Sequence, residues 1–158
     1  MKKRWLLIVV LLLCGCNGEF NVDTMVCGLK GKNVTYEIRY KDHDIKRFSV
    51  IDSYDYEEFS DVYFKNRKKY YEEKAKELNQ VDGLDMTITI DGKAITAVVD
   101  VDYTKYDIYN DPNYVLDFEM KEEDFKNIES IRSIFISHHY ICDEIVDPNA
   151  KKPVSENE

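Results

Sequence analysis

The sequence predicts an α+β fold: an antiparallel β-sheet built from two hairpins, with a long amphipathic helix packed on one face and a second, C-terminal helix. Three observations carry this. In NVTYEIRY, Val34, Tyr36, Ile38 and Tyr40 alternate with polar residues, which is the period of a half-buried strand. In TITIDGKAIT, Asp91-Gly92 sits between two alternating runs, the strongest short-range signal of a hairpin. Between these two stretches the apolar spacing changes to that of a helix, in DYEEFSDVYFKNRKKYYEEKAKELNQVDG.

The chain opens MKKRWLLIVVLLLCGCNGEF, in which Lys2, Lys3 and Arg4 precede nine apolar residues, Trp5 to Leu13. This is the grammar of an export signal, and nine residues are too few for a spanning helix, which needs about 20. The ending Leu13-Cys14-Gly15-Cys16 resembles the lipobox of bacterial lipoproteins. That resemblance implies a signal peptide over residues 1–15, its removal together with Cys14, and a diacylglycerol thioether on Cys16. Two acyl chains make a stable anchor at roughly 0.8 kcal/mol per buried methylene. The expected address is the cell envelope, on the outer face of the cytoplasmic membrane, or on the outer membrane where there are two.

Residues 16–24 read as a lipidated tether, 25–146 as a single α+β domain, and 147–158, with its two prolines and no apolar period, as a disordered tail. Within the domain, Asp42, His43 and Asp44 are expected to form a three-residue loop that pairs Ile38 with Phe48 and Tyr36 with Val50. His43 is then a solvated loop-tip residue. Asp55 with Glu58 resembles a capping box for the helix that follows. Phe59, Val62, Tyr63, Tyr70, Tyr71 and Leu78 form its imperfect stripe. In the second hairpin a two-residue Asp91-Gly92 loop would set Ile88 opposite Ile95, Met86 opposite Ala97 and Leu84 opposite Val99. Further on, KEEDFKNIESIRSIFIS aligns Phe125, Ile128, Ile131 and Phe135 on one helix face, and HHYICDEI returns as an extended segment.

Charge and motif content narrow the function. The formal charge is −9, and loss of residues 1–15 takes it to −12. So acidic a chain is repelled by nucleic acid, whose phosphates require clustered Lys and Arg. No GxSxG, HExxH or GxxxxGK[ST] pattern occurs, so the expectation is a non-enzymatic protein without a cofactor. His138-His139 with Asp143 or Glu144 is an acid–base candidate, the alternative being a polar segment end. With Cys14 cut away and Cys16 lipidated, Cys27 and Cys142 remain, and in an exported protein such a pair is expected to be bridged, with two separate buried thiols as the alternative.

Two constellations are candidates for binding. Asp100, Asp102, Asp107 and Asp111, in DVDYTKYDIYND, are hard oxygen ligands of the type calcium accepts, although the glycine and closing glutamate of a calcium loop are missing. They would serve a calcium-binding module or a metal-dependent enzyme. Tyr103, Tyr106, Tyr109 and Tyr114 crowd one loop region of a chain with 12 tyrosines. Tyrosine supplies contact area and a polar hydroxyl at little entropic cost, so these four form a candidate face for an envelope protein or a small ligand. The alternative is that tyrosine merely replaces phenylalanine in a small, wet domain.

Several of these stretches are together similar to the YehR-like small bacterial lipoproteins, a family without an assigned activity. The features are VTYEIRYKDHDIKRF, the long amphipathic helix, AVVDVDYTKYDI and the terminal helix followed by HHYIC, together with the lipobox. The segment IYNDPNYVLDFEM departs from the pattern. The resemblance implies fold and lipidation and no catalytic residue.

Overall fold

The computed structural model describes residues 22–145. Residues 1–21, with the signal segment and Cys16, and residues 146–158, with Val146 and the tail, lie outside the described residues. The fold is α+β, with one six-stranded antiparallel sheet and two α-helices among the described residues. In chain order the strands and helices are β1 (Asp23–Gly28), β2 (Val34–Lys41), β3 (Asp44–Asp55), α1 (Asp61–Leu78), β4 (Leu84–Asp91), β5 (Ala94–Val101), α2 (Ile128–Ser137) and β6 (Ile141–Ile145). Across the sheet the order is β4-β5-β3-β2-β1-β6. Two strands thus join the hairpins on the β2 side of the sheet: β1, which begins at Asp23 inside the stretch assigned to the tether, and next to it β6, which forms the edge opposite β4.

Strand alternation sorts the side chains into rows on one face. Met25, Ile38, Phe48, Val101 and Leu84 make one row; Cys27, Tyr36, Val50, Val99 and Met86 make the next; Val34, Asp52, Ala97 and Ile88 follow. The first two rows are buried throughout. Both helices cover this face, with Phe135 of α2 against Tyr36 at 4.9 Å and Tyr71 of α1 bonded to Asp52. The other face carries the pairs Arg39–Glu37 and Arg47–Asp100.

The hairpins show what alternation can and cannot determine. In the first, Ile38 pairs with Phe48 and Tyr36 with Val50, the expected partners, but the loop is shorter than expected. Asp42 and His43, both at positive φ, make a two-residue turn between Lys41 and Asp44, and a bulge between Arg39 and Tyr40 restores the register. In the second, Ile88 pairs with Ala97, Met86 with Val99 and Leu84 with Val101, a shift of two residues from the expected pairing. The turn is Gly92-Lys93, with positive φ at Gly92 alone, the pattern of a type II′ turn. A two-residue slip leaves every side chain on its own face, so the apolar pattern is blind to it.

Helix α1 begins later than the Asp55–Glu58 pair suggested. Residues as far as Asp55 belong to β3, Asp55 accepts the Glu57 amide at 2.9 Å in a local turn, and Ser60 caps the helix by accepting from Tyr63 N at 3.3 Å. Of the expected stripe only Tyr71 and Leu78 are buried, and Val62 is 69% exposed. At the far end Asn79 reaches the outer edge of β4, where its side chain accepts from Met86 N at 2.5 Å and donates to Met86 O at 3.1 Å. One amide thus stands in for a neighbouring strand at an otherwise open edge. Asn79→Ala orphans both groups and is expected to cost about 1–3 kcal/mol, read as a lower urea midpoint with an unchanged m-value.

Gly83 joins α1 to β4 at φ +85°, where a Cβ would lie 2.6 Å from Tyr106 N and 2.9 Å from Asp102 O. Only glycine fits, because the chain after β5 folds back onto this point, with Asp102 N donating to Gly83 O at 2.8 Å. From there residues 102–127 run over the sheet. They include 3₁₀ turns at Ile108–Asn110 and Glu122–Phe125 and deliver Phe125 onto Phe48 at 5.5 Å. In α2, Ile128, Ile131 and Phe135 are buried. His138 and His139 then turn the chain, and β6 pairs with β1 so that Cys142 faces Cys27, bonded at 2.07 Å.

Candidate functional site

Two separate covers lie on the apolar face, α1 on one side and the 111–120 segment with α2 on the other. Where they meet is a cleft of about 190 Å³. Its floor is the middle of the sheet, Val50, Val99, Ala97 and Met86; one wall is α1, with Arg67, Tyr70, Tyr71 and Lys74; the other is Tyr114, Leu116 and Asp117. Helical spacing explains the first wall, since residues 67, 70, 71 and 74 fall on neighbouring turns of one side.

Hydrogen bonds hold both walls. Tyr71 Oη donates to Asp52 Oδ2 at 2.7 Å. Asp117 accepts from Tyr36 Oη at 2.5 Å and from Tyr140 Oη at 2.6 Å, and its own amide donates to Tyr36 Oη at 3.3 Å. Tyr36 is fully buried, so Asp117 is the clasp that ties the 111–120 segment to the sheet and to the end of α2. Phe118 reinforces the clasp, lying 5.0 Å from Phe135 and stacked 4.5 Å from His138.

Burial, followed by the hydrogen bond to a carboxylate, raises the hydroxyls of Tyr36, Tyr71 and Tyr140 well above their ordinary value of 10.0. The unfolded chain releases these protons near pH 10 and the native state retains them. The stability they contribute is therefore whole below pH 10 and is lost as pH rises above it. An alkaline titration is expected to show some of the 12 tyrosines ionising, by absorbance at 295 nm, only together with loss of the circular dichroism of the sheet.

The four tyrosines singled out in the sequence do not form one face. Tyr106 is 5% exposed, with its hydroxyl donating to Asp111 and accepting from Asn113 Nδ2 at 3.2 Å, so it belongs to the core. Tyr103 packs 5.4 Å from Phe125 and donates to Ile45 O at 2.8 Å. Tyr109 is partly exposed beside Phe125. Tyr114 alone projects, 83% exposed and at φ +50°, a conformation uncommon for a bulky side chain, and it stands on the cleft rim.

The four aspartates are likewise dispersed into separate tasks. Asp100 pairs with Arg47 and accepts from Ser49 Oγ at 2.6 Å. Asp102 accepts from the Thr104 backbone amide at 3.1 Å and pairs with Lys105. Asp107 caps the first 3₁₀ turn, and Asp111 accepts from Tyr106 and from Leu116 N at 2.8 Å. Among the described residues no group of three or more His, Cys, Asp and Glu is placed to hold a metal ion. His138 stacks on Phe118, Glu144 pairs with Arg132, and His43 at the hairpin tip engages Glu129 of α2 while its carbonyl accepts from Ile128 N at 3.1 Å. His43 is thus an exposed residue at the loop tip, as expected, and in addition it contacts α2.

No family model matches the chain, and no curated protein matches it. The NMR structure of a protein from Streptococcus pneumoniae TIGR4 is similar in fold, with a TM-score of 0.53 over 81% of this chain and 89% of that one, at 14% identity. Likeness at that identity speaks for the fold alone. No helix among the described residues is long and apolar enough to cross a membrane.

Proposed function

We propose that this chain is a lipid-anchored bacterial envelope protein, akin to the YehR-like small lipoproteins, whose domain is a non-enzymatic module that binds a small ligand in the cleft between its helical covers. The cleft carries the reading. It joins an apolar floor to convergent polar and aromatic side chains, the usual composition of a ligand site. Anchoring is supported by Leu13-Cys14-Gly15-Cys16, with Cys16 as the acylated residue. The strand nearest the anchor, β1, begins where β2 turns into β3, whereas the cleft lies toward the other end of the sheet, where Val34 pairs with Asp52. Tethering raises the effective concentration of the cleft for ligands at the surface.

Native mass spectrometry of the full chain recovered from its host membrane tests this. A small molecule is expected to accompany the protein and to disappear when Tyr70 and Tyr114 are both changed to alanine, with the melting temperature within about 2 °C of the parent, since both rings are exposed. Retention of the molecule by the double variant would contradict the assignment to the cleft. Cys16→Ser is expected to move the chain out of the acylated membrane fraction; unchanged acylation would refute the anchor.

A further inference from the structure

The wall formed by α1 departs from the charge of the rest of the chain. The sequence carries a formal charge of −9, yet Asp61–Leu78 holds six basic residues against four acidic ones. Lys68 and Lys69 pair with Glu72 and Glu73 one turn on. Arg67 and Lys74, the two that line the cleft, have no ion-pair partner among the described residues. Both are half-buried, and they lie about 10 Å apart along the helix axis, with Tyr71 between them. Arg67 is held in place: its Nε donates to Tyr56 Oη at 3.3 Å, and the guanidinium sits 4.8 Å from the Tyr70 ring and 5.4 Å from the Tyr71 ring.

The acidic groups of the cleft stand in the opposite condition. Asp52 already accepts from Tyr71, and Asp117 from Tyr36 and Tyr140. The site therefore holds two cations without an ion-pair partner among the described residues, beside two carboxylates that each accept hydrogen bonds from tyrosine hydroxyls of the protein. Removing cations from water without a counter-charge is unfavourable, and an incoming anion offsets that cost.

The geometry points to an aromatic carboxylate as the ligand of the cleft, its anion at Arg67 and Lys74 and its ring on the apolar floor under Tyr114. This inference rests on the cleft reading above and adds the ligand's charge and body to it. Three probes of one shape separate the two claims: phenylacetate, neutral phenylacetamide and cationic phenethylamine, each titrated calorimetrically into the full chain in lipid nanodiscs, with empty nanodiscs as the blank.

Phenylacetate is expected to bind about tenfold tighter than phenylacetamide, the ratio that one charge-assisted hydrogen bond supplies, with phenethylamine weakest. Lys74→Gln keeps a good helix former at that position and is expected to erase most of the preference while leaving phenylacetamide binding in place. Equal binding of anion and amide, or preference for the amine, overturns the inference and leaves the cleft reading standing. Failure of all three to bind, with the melting temperature of the protein intact, overturns both.

Discussion

Replacing Cys27 and Cys142 together by alanine is expected to destabilise the protein by about 4–5 kcal/mol and to lower its melting temperature by roughly 15 °C. The bridge spans 115 residues, almost the whole described domain. In the chain-entropy account it therefore removes a large part of the freedom of the unfolded state, a contribution that grows with the logarithm of loop length. Locally it fastens β6, a five-residue edge strand that otherwise depends on its ladder with β1, the Arg132–Glu144 pair and a bond from Tyr40 Oη to Glu144 at 3.1 Å. Hydrogen exchange is the measurement that separates the two effects. In the double variant, and in the parent after reduction, the β6 amides should lose protection first, while β2, β3 and β5 exchange only with global unfolding. A variant as stable as the parent would show that the bridge acts on neither state.

Asp117→Ala should cost about 2–6 kcal/mol, because it orphans two buried hydroxyls at about 1–3 kcal/mol each. Tyr36 and Tyr140 both donate to this one carboxylate, and the Tyr36 ring is wedged among Phe135 at 4.9 Å, Tyr140 at 5.5 Å and Phe48 at 6.0 Å. The side chain cannot swing to water without breaking that packing. Chemical denaturation of three variants decides the cause. Asp117→Asn keeps an acceptor and should lose less than the alanine variant. Adding Tyr140→Phe to Asp117→Ala removes one orphan and should recover stability, a non-additivity expected of residues in one network. If the second substitution adds its full independent cost instead, the clasp does not operate as a hydrogen-bonded unit.

Much of the sheet was legible because alternation reports burial directly. Val34 to Tyr40, Phe48 and Val50, and the second hairpin all carry the right face in their spacing. What alternation cannot report is register by twos, and so Asp91-Gly92 misplaced a turn that the structure builds on Gly92-Lys93. The start of α1 was misread for a related reason. Asp55 and Ser60 are both good caps, and the choice fell to β3, whose pairing with β5 continues to Asp55 opposite Ala94. β1 was hidden by brevity and by polar Asp23 and Thr24, which gain their place only from β2 and β6.

The site was harder to read than the fold. Tyr106 looked like a surface tyrosine because its partner Asp111, five residues on, satisfies the hydroxyl and lets the ring enter the core. Asp117 carried no local signal at all, its partner Tyr36 being 81 residues away. Arg67, Tyr70, Tyr71 and Lys74 could have been found, since they share one side of a helix. Tyr70 and Tyr71 entered only as members of the core stripe, and Arg67 and Lys74 were passed over, because an apolar stripe was sought there and this one is polar and aromatic.

The most direct test of the cleft as the binding site is the tyrosine-ring NMR spectrum of the full chain in nanodiscs, recorded while phenylacetate is added. The Tyr70, Tyr71 and Tyr114 resonances are expected to move together along one binding curve while Tyr63, Tyr103 and Tyr109 stay in place. Movement confined to the latter three, or no movement in any ring at saturating probe, would contradict it.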